Sequence, residues 1–243
     1  MSLTDIHIHA LFGVDDGAKT EEEMNAIIDA SYSDGIRTLC LTPHFHPGYF
    51  GDNNAKAFTA FQLLSEHVKK ECPEMSIYLG NELRYSRGCL SWLADGSCRT
   101  LNKTRFVLVD FQEAEDRLAL LGGTGKLLSA GYVPILAHAE RYRNLNFRDL
   151  YSLRADGVLI QMDAQSIFRS FGFGAQHRCK RMLAEHLIDI VASDAHNLKN
   201  RPPLLSICYS YIAKRHGVKY ADAICAENAL HILTDNAVGK GLG

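Results

Sequence analysis

Two histidines near the N-terminus, His7 and His9, are separated by a single residue within an apolar segment. Residues two apart in a β-strand face the same side, so the spacing predicts two imidazoles that can bind one metal ion. A half-exposed strand without any function would show the same pattern, and His-x-His alone does not distinguish the two. The rest of the chain therefore has to decide between them.

The apolar, strand-like runs of the chain repeatedly end in a His, Asp or Glu. These ends are His9, His44, Glu82, Asp110, His138, Asp163 and Asp194, with Asp16 and His196 close to the first and the last of them. Successive ends lie 25 to 38 residues apart, which suits one β/α unit each. This regularity argues against chance placement and favours one shared site.

The segments between these strands carry helix signals. Thr20, with Glu23 three residues later, matches a capping box and predicts a helix over 21–33. Further helices are predicted over about 55–71, 146–153 and 176–185, and two more after Pro203. Three segments are expected to interrupt this order: a Gly- and Pro-rich loop over 44–51, an irregular region over 85–103, and a break at Gly122-Gly123 in the helix that ends near Ser129.

Strands that alternate with helices imply a parallel sheet joined by right-handed crossovers. Because each candidate side chain sits at the C-terminal end of its strand, a barrel would gather all of them on one face, where such folds carry their chemistry. A doubly wound open sheet is the competing architecture. It would spread the strand ends along a line, so the barrel is favoured.

Composition limits the class of protein. The 243 residues fit one large α/β domain, and a hydrophobic content of 47% can fill its core. A net charge of -2 gives no general attraction to nucleic acid or to an anionic membrane. No apolar run is long enough to span a bilayer and no secretory signal opens the chain, so a cytoplasmic protein is expected. The seven cysteines are scattered, without a Cys-x-x-Cys pair, and are predicted to be reduced.

Imidazoles and carboxylates without thiolate suit manganese, iron, zinc or magnesium. Glu82 or Asp110 by itself would be interpreted as a salt-bridge partner, but in the company of the histidines both become candidate ligands. There are enough candidates for more than one ion. Closely spaced ions generate hydroxide near neutral pH and hold phosphoryl oxygens during in-line displacement, which predicts phosphate ester hydrolysis.

Several motifs together resemble one family. They are Asp-x-His-x-His at 5–9, Asp-Asp-Gly at 15–17, Thr-Pro-His at 42–44, Glu82, His-Ala-Glu-Arg-Tyr at 138–142, Ser-Asp-Ala-His-Asn at 193–197 and Arg-Pro-Pro at 201–203. This set resembles the PHP (polymerase and histidinol phosphatase) superfamily, in particular the metal-dependent protein-tyrosine phosphatases of bacterial capsule and exopolysaccharide operons. The resemblance implies a single phosphatase domain over 1–243, a distorted seven-stranded barrel and three divalent ions, usually manganese.

The resemblance also implies which residues hold each ion. His7, His9, Glu82 and Asp194 would hold the first; Glu82 would bridge to a second, completed by Asp110 and His138; Asp16, His44 and His196 would hold the third. This chain departs from the family at Asp110, where a longer Glu is more common, and at Ala139, where Pro is common. The first departure is expected to alter the second metal position, and the other to be minor.

Two arginines follow metal motifs closely. Arg141 and Arg201 are predicted to bind phosphoryl oxygens, because guanidinium matches phosphate in a planar, bidentate way. The alternative is that they form surface ion pairs. Aromatic residues of the predicted loop 44–51 (His46, Tyr49 and Phe50) either form a wall for an aromatic substrate or pack against the fold. Five other histidines (His67, His177, His186, His216 and His231) are given no function.

The predicted activity is hydrolysis of protein phosphotyrosine by a metal-bound hydroxide, with a bacterial tyrosine kinase of capsule or exopolysaccharide synthesis as the partner. Cysteine-based phosphatases use Cys-x5-Arg, and none of the seven cysteines has Arg six residues on. Two alternatives remain, a small-molecule phosphatase of the histidinol-phosphate type and a metal-stabilised regulatory module without turnover. A nuclease is disfavoured because the chain lacks a basic stripe.

Overall fold

Strands and helices alternate along the chain in a computed structural model that describes residues 2–50, 53–168 and 170–239. Within these ranges the strands are β1 Leu3–Ile8, β2 Ile36–Leu41, β3 His44–Phe45, β4 Ser76–Leu79, β5 Glu82–Arg84, β6 Phe106–Asp110, β7 Val133–Leu136, β8 Leu159–Asp163 and β9 Ile190–Ala192.

The helices cover the sheet between and after these strands. They are α1 Glu21–Ser33, α2 Pro47–Phe50, α3 Asn54–Glu71, α4 Cys89–Ala94, α5 Arg117–Ser129, α6 Phe147–Asp156, α7 Gly172–Ala184, α8 Leu205–His216, α9 Val218–Asp222 and α10 Asn228–Leu233. Short 3-10 turns span Leu101–Lys103, Ala139–Arg141 and Ala164–Phe168, and a π-helical turn spans Ala223–Glu227.

The first helix shows why the local sequence folds as predicted. The Thr20 side chain accepts a hydrogen bond from the Glu23 backbone N–H at 3.3 Å, and the Glu23 carboxylate accepts from the Lys19 N–H at 2.7 Å. These contacts satisfy backbone groups that a helix end leaves unpaired. Met24 and Ile28, one turn apart, are fully buried. The predicted start and end of α1 are confirmed.

The strands form one curled parallel arrangement in two hydrogen-bonded sheets. One sheet has the order β1-β2-β4 and the other the order β3-β5-β6-β7-β8-β9. β1 also meets the segment after β9: the Asp194 N–H donates to His7 O at 2.8 Å, and the His9 N–H donates to Ala195 O at 2.9 Å. The first strand therefore contacts both its sequence neighbour and the end of the chain's last strand, which an open sheet cannot do.

The predicted count of seven strands is not reproduced, because two predicted strands are interrupted. β2 and β3 are separated by Thr42-Pro43, and proline has no N–H to donate to a ladder. β4 and β5 are separated by Gly80-Asn81, where a Cβ at Gly80 would lie 2.7 Å from the Leu101 side chain. The Asn81 side chain donates to Pro43 O at 3.0 Å and ties the two interruptions together. His44 and Glu82 thus begin short strands rather than end long ones.

The core lies on both faces of this sheet, as a nearly continuous hydrophobic strand sequence predicts for parallel strands. All residues of β1 and of β6 are buried. The buried apolar side chains form one large cluster and one smaller cluster. The smaller cluster packs the strands against α10 and contains Ile6, Cys40, Leu101, Phe106, Leu108, Ile135, Ala137, Ile190, Ala229, Ile232 and Leu233. The seven cysteines are all free and buried. Among the described residues, no helix is both long and apolar enough to cross a bilayer.

Of two predictions about irregular segments, the first is wrong and the second is correct only in part. The segment 44–51, predicted as a loop, contains β3 and the short helix α2; Gly51 lies outside the described residues. Pro47 opens α2, a position where its missing N–H costs nothing. The region 85–103, predicted as irregular, contains α4 and the turn Leu101–Lys103.

The predicted break at Gly122-Gly123 is also wrong, because α5 runs without interruption through both glycines. A Cβ at Gly123 would lie 2.8 Å from the Tyr85 ring and 2.9 Å from the Phe111 ring. These two rings stack on each other with centroids 4.8 Å apart. Close packing against them explains a glycine that helix propensity alone disfavours.

The two neighbouring glycines are expected to respond oppositely to alanine. Gly123→Ala should lower the free energy of unfolding by about 1–3 kcal/mol, because the added methyl group must displace two packed rings. Gly122→Ala is the matched control: nothing lies within 4 Å of its Cβ position, so it should raise the free energy by about 0.5–1 kcal/mol. Urea unfolding of both variants measures this, and equal shifts would contradict the packing argument.

Candidate functional site

Nine predicted ligands meet at the C-terminal end of the sheet. They form three groups, within each of which the possible ligand atoms lie no more than 4.8 Å apart: His9 with Asp16, His44 and His196; His7 with His9 and Asp194; and Glu82 with Asp110 and His138. Asp163, the remaining strand end, is in none of these groups. The structure therefore brings together all nine residues that the sequence predicts to bind metal.

Unusual backbone conformations aim two of these side chains. His138 and Asp194 follow β7 and β9 with left-handed φ values of 36° and 49°. This conformation costs a non-glycine residue on the order of 1 kcal/mol, and such strain concentrates at functional sites. Backbone contacts hold both residues: the His138 N–H donates to Gln161 Oε1 at 2.9 Å, and the Asp194 N–H donates to His7 O at 2.8 Å.

The innermost group is His7, His9 and Asp194, and Glu82 of the neighbouring group also faces it, so two imidazoles meet two carboxylates. His7 Nε2 and His9 Nε2 lie 3.2 Å apart. His7 Nε2 is 3.4 Å from both Glu82 Oε1 and Asp194 Oδ1, and His9 Nε2 is 3.3 Å from Glu82 Oε2. Burial opposes a charged His7, yet these carboxylates raise its pKa to about 10. Positive charge is strongly favoured at this point, whether carried by a proton or by a metal ion.

A second layer of polar groups orients these imidazoles. His9 Nδ1 donates to Asp15 Oδ2 at 2.7 Å, and the other oxygen of that carboxylate accepts from the Gly17 N–H at 2.9 Å. His7 Nδ1 lies 3.2 Å from Gln161 Oε1. Although burial opposes its charge, the contact with His9 lowers the pKa of Asp15 to about 2. An Nδ1–H held in this way leaves Nε2 free to bind a metal.

Sequence reasoning assigned no role to Asp15 or Gln161. Asp15 lies beside a predicted ligand in Asp-Asp-Gly, so the motif contained its signal. Gly17 has a steric reason of its own, because a Cβ there would lie 1.8 Å from the carbonyl oxygen of His9. Gln161 had no signal, since an interior strand glutamine looks like any other polar residue.

The group around Asp110 includes the departure from the family pattern. His138 Nε2 lies 3.0 Å from Glu82 Oε1 and 3.7 Å from Asp110 Oδ1. Tyr142 donates its hydroxyl to Asp110 at 3.0 Å, and Arg84 Nη2 lies 2.7 Å from the other oxygen. Burial, and then the charge of Glu82, raise the pKa of Asp110 to about 7. The shorter carboxylate thus still reaches the group and is held from two sides.

The outer group opens to solvent. Asp16 lies 3.4 Å from both His44 Nε2 and His196 Nε2, and its side chain is 54% exposed. Burial opposes its charge, but the two imidazoles hold the pKa of this carboxyl well below its usual range.

The two predicted arginines are not surface ion pairs. The side chains of Arg141 and Arg201 are only 12% and 25% exposed, and both contact the Asp194 carboxylate. Arg141 also contacts Asp163, which explains why that strand end joins no ligand group. The Phe171 ring lies 3.7 Å from the Arg141 guanidinium carbon and 5.8 Å from that of Arg201. Phe171 was not predicted, and its separation from both motifs leaves no sequence signal.

A cleft of about 170 Å³ connects these groups to solvent. Its lining includes His44, Glu82, Arg84, Asp110, Phe111, Glu113, His138, Arg141, Asp194 and Arg201. A larger cavity of about 670 Å³ lies between α3 and residues 96–103, but its lining is mainly apolar and includes none of the predicted ligands. We therefore place the chemistry in the smaller cleft, where acids, imidazoles and guanidinium groups converge.

The fold defines a broad class of structures. The organophosphorus hydrolase from Deinococcus radiodurans aligns over 95% of this chain and 92% of its own, at 12% identity and a TM-score of 0.59. The phosphotriesterase homology protein from Escherichia coli aligns over 96% and 95%, at 10% identity and a TM-score of 0.54. Similarity at this level extends to the fold alone.

The family is more specific. The family model described as capsular polysaccharide synthesis, CpsB/CapC, matches residues 3–234, so the chain belongs to the CpsB/CapC family. It is 32% identical to the tyrosine-protein phosphatase CpsB of Streptococcus pneumoniae, over 97% of this chain and all of that protein. It is 31% identical to the tyrosine-protein phosphatase YwqE of Bacillus subtilis, over 82% and 79%.

A solved structure agrees with this assignment. It comes from the crystal structures of YwqE from Bacillus subtilis and CpsB from Streptococcus pneumoniae, described as unique metal-dependent tyrosine phosphatases. The alignment covers 98% of this chain and 96% of that chain, at 29% identity and a TM-score of 0.88. The family resemblance predicted from the motifs is confirmed.

The hydrogen bond between Asp15 and His9 can be tested through metal affinity. Asp15→Asn keeps the size of the side chain but removes the charge that orients His9, so manganese affinity should fall about 10- to 100-fold. Asp29→Asn is the control, since Asp29 pairs with His67 outside the site. Calorimetric titration with manganese measures both, and equal affinities would show that Asp15 does not orient a ligand.

Proposed function

We propose that this protein is a metal-dependent phosphomonoesterase that hydrolyses protein phosphotyrosine. The observation that carries the proposal is the meeting of nine imidazole and carboxylate ligands with two arginines at one cleft, in a chain of the CpsB/CapC family. Relatives named tyrosine-protein phosphatases support the substrate class. The partner we infer is a bacterial tyrosine kinase of capsule or exopolysaccharide synthesis.

Three divalent ions, usually manganese in such sites, fit the donors. We assign His7, His9, Glu82 and Asp194 to the first; Glu82, Asp110 and His138 to the second; and Asp16, His44 and His196 to the third. The Nε2 atoms of His7 and His9 lie 3.2 Å apart beside carboxylates, and this donor set would suit a cation held by both imidazoles. Bound there, the ions would supply positive charge to phosphoryl oxygens and lower the pKa of a water.

The arginines are assigned to phosphate recognition. Arg141 and Arg201 already direct their guanidinium groups at one carboxylate oxygen of Asp194, on the wall of the cleft. A phosphoryl group offers oxygens of the same kind, with more charge as the bond to the leaving group breaks. The two arginines would hold the phosphoryl group while water replaces the tyrosine oxygen, giving tyrosine and inorganic phosphate.

A thiol nucleophile finds no support in the chain. All seven cysteines are buried and free. Burial raises the pKa of the thiol at Cys89, the cysteine that follows the cleft strand β5 most closely, and so disfavours the reactive thiolate. The proposed chemistry therefore depends on the metal ligands.

The whole chain is assigned to this one activity. We interpret the two sheets as a distorted seven-stranded barrel in which β2 with β3, and β4 with β5, each count as one interrupted strand. Residues 1–243 then form a single phosphatase domain. A small-molecule phosphatase of the histidinol-phosphate type shares the metal scaffold and is the second candidate. Activity on phosphotyrosine peptide, phosphoserine peptide and histidinol phosphate distinguishes these substrates, and turnover of any of them excludes a regulatory module without catalysis.

Metal removal is the first test of the proposed function. Treatment with a chelator should abolish hydrolysis of a phosphotyrosine peptide, because the ligands are left without the ions that polarise phosphate and water. Added manganese should restore it. Elemental analysis confirms the metal content at each step. Full activity in metal-free protein would contradict the proposal.

The arginines can be separated from metal assembly. Arg141→Ala and Arg201→Ala should keep their metal content but lose roughly 10-fold to several hundred-fold in kcat/KM, because a charge-assisted contact to the transition state is lost. Lysine should rescue either position only in part, since it restores charge without the planar fork. Arg181→Ala is the control: Arg181 pairs with Glu185 on the surface of α7. Unchanged kcat/KM in both site variants would remove the arginines from the mechanism.

A further inference from the structure

The helix α2 presents aromatic rings beside the cleft and contributes nothing to the core. None of its four residues is buried. The Tyr49 side chain is 76% exposed, the highest value among the large hydrophobic residues of the described chain. Exposed aromatic surface costs free energy in water, so an aromatic ring in such a place calls for a reason other than packing. The sequence leaves two interpretations of these rings, a wall for an aromatic substrate or packing against the fold. Packing explains the exposure of Tyr49 poorly.

The rings form a continuous strip that starts at the candidate metal centre. Phe50 stacks on His44, with ring centroids 5.3 Å apart and an interplanar angle of 8°. Tyr49 meets Phe50 edge to face at 4.8 Å, and the His46 ring stacks on Tyr49 at 5.8 Å. His44 lines the cleft together with Glu82. We call Phe50, Tyr49 and His46 the aromatic strip.

The direction of the strip matters for substrate choice. An aryl phosphate carries its ring directly beyond the bridging oxygen, so a phosphate bound in the cleft places that ring at the cleft mouth. An alkyl phosphate, such as phosphoserine, places only a methylene group there. Offset-stacked and edge-to-face contacts favour an aromatic ligand over an aliphatic one of similar size.

We propose that Tyr49 and Phe50 form the subsite for the phenyl ring of phosphotyrosine, and that Tyr49 is the residue that makes the enzyme prefer aryl over alkyl phosphates. This inference rests on the proposed function. It adds to recognition a residue that is itself neither a candidate metal ligand nor an arginine, and whose ring meets those of Phe50 and His46. Phe50 supports the His44 ring as well, so Tyr49 is the position where ring recognition can be changed separately.

The test compares two ligands that share a phosphoryl-like group and differ in the ring. Inorganic phosphate reports on the metals and arginines, and phenylphosphonate reports on those groups plus the ring subsite. Calorimetry on the manganese-loaded full chain gives both dissociation constants. Tyr49→Ala should weaken phenylphosphonate about 3- to 30-fold and leave phosphate within about 2-fold, whereas Tyr49→Phe should resemble wild type because the ring remains.

Activity gives the second measurement. Tyr49→Ala should lower kcat/KM for a phosphotyrosine peptide by the same about 3- to 30-fold, with unchanged manganese content. Tyr151→Ala is the control, because Tyr151 is also exposed but lies on α6 and bonds to Glu185. It should change neither affinity nor activity.

Different experimental results would overturn the ring subsite and the proposed function. Equal loss of phosphate and phenylphosphonate affinity, or no loss of either, in Tyr49→Ala overturns the ring subsite even if the wild type is an active phosphatase. A wild type that hydrolyses no phosphate ester overturns the proposed function. In that case the ratio of the two dissociation constants still decides whether Tyr49 contacts an aromatic ligand.

Discussion

The contact between β1 and the segment after β9 is the constraint on which both the fold and the site depend. Two backbone hydrogen bonds make it, from the Asp194 N–H to His7 O and from the His9 N–H to Ala195 O. They bring candidate ligands from β1 and from the segment after β9 within reach of each other. The contact that closes the sheet therefore also assembles the innermost group. One of its two hydrogen bonds is donated by the Asp194 N–H, and this bond holds the left-handed backbone of that residue.

The cost of this arrangement is buried negative charge. Asp5, Glu82, Asp163 and Asp194 are each no more than 2% exposed. A buried carboxylate is tolerated only with partners, and removing one partner of a buried pair typically costs about 3–5 kcal/mol. Here the partners are imidazoles, the Arg141 guanidinium and backbone N–H groups, such as those of His7 and Ser193 that donate to Asp5 at 3.2 and 3.1 Å. These polar contacts fix register and side-chain direction at the strand ends, where apolar packing alone would permit alternatives.

Sequence patterns predicted what depends on local chemistry and on the order of elements. The capping residues of α1 follow from the spacing of Thr20 and Glu23. The convergence of nine candidate ligands follows from the order of elements, because the carboxyl ends of parallel strands lie at the same edge of a sheet. Contacts set by distant packing could not be read in this way. Helix propensity disfavours Gly123, but the rings of Tyr85 and Phe111 pack against it and leave no room for a side chain. Asp163 pairs with Arg141, which follows a different strand. Phe171 reaches the arginines from a segment with no motif.

Under the proposed function, the groups assigned to the phosphate and the groups assigned to the rest of the substrate lie in different parts of the fold. The candidate metal ligands lie at or next to strand ends and are fixed by the buried network, so substitutions of these residues disturb folding and chemistry together. α2 differs, since none of its residues is buried, and the stack of Phe50 on His44 connects it to the site. A segment under so little packing constraint can change its side chains at small cost in stability. If α2 forms the proposed ring subsite, substrate preference can thus be altered there while the candidate metal ligands remain unchanged.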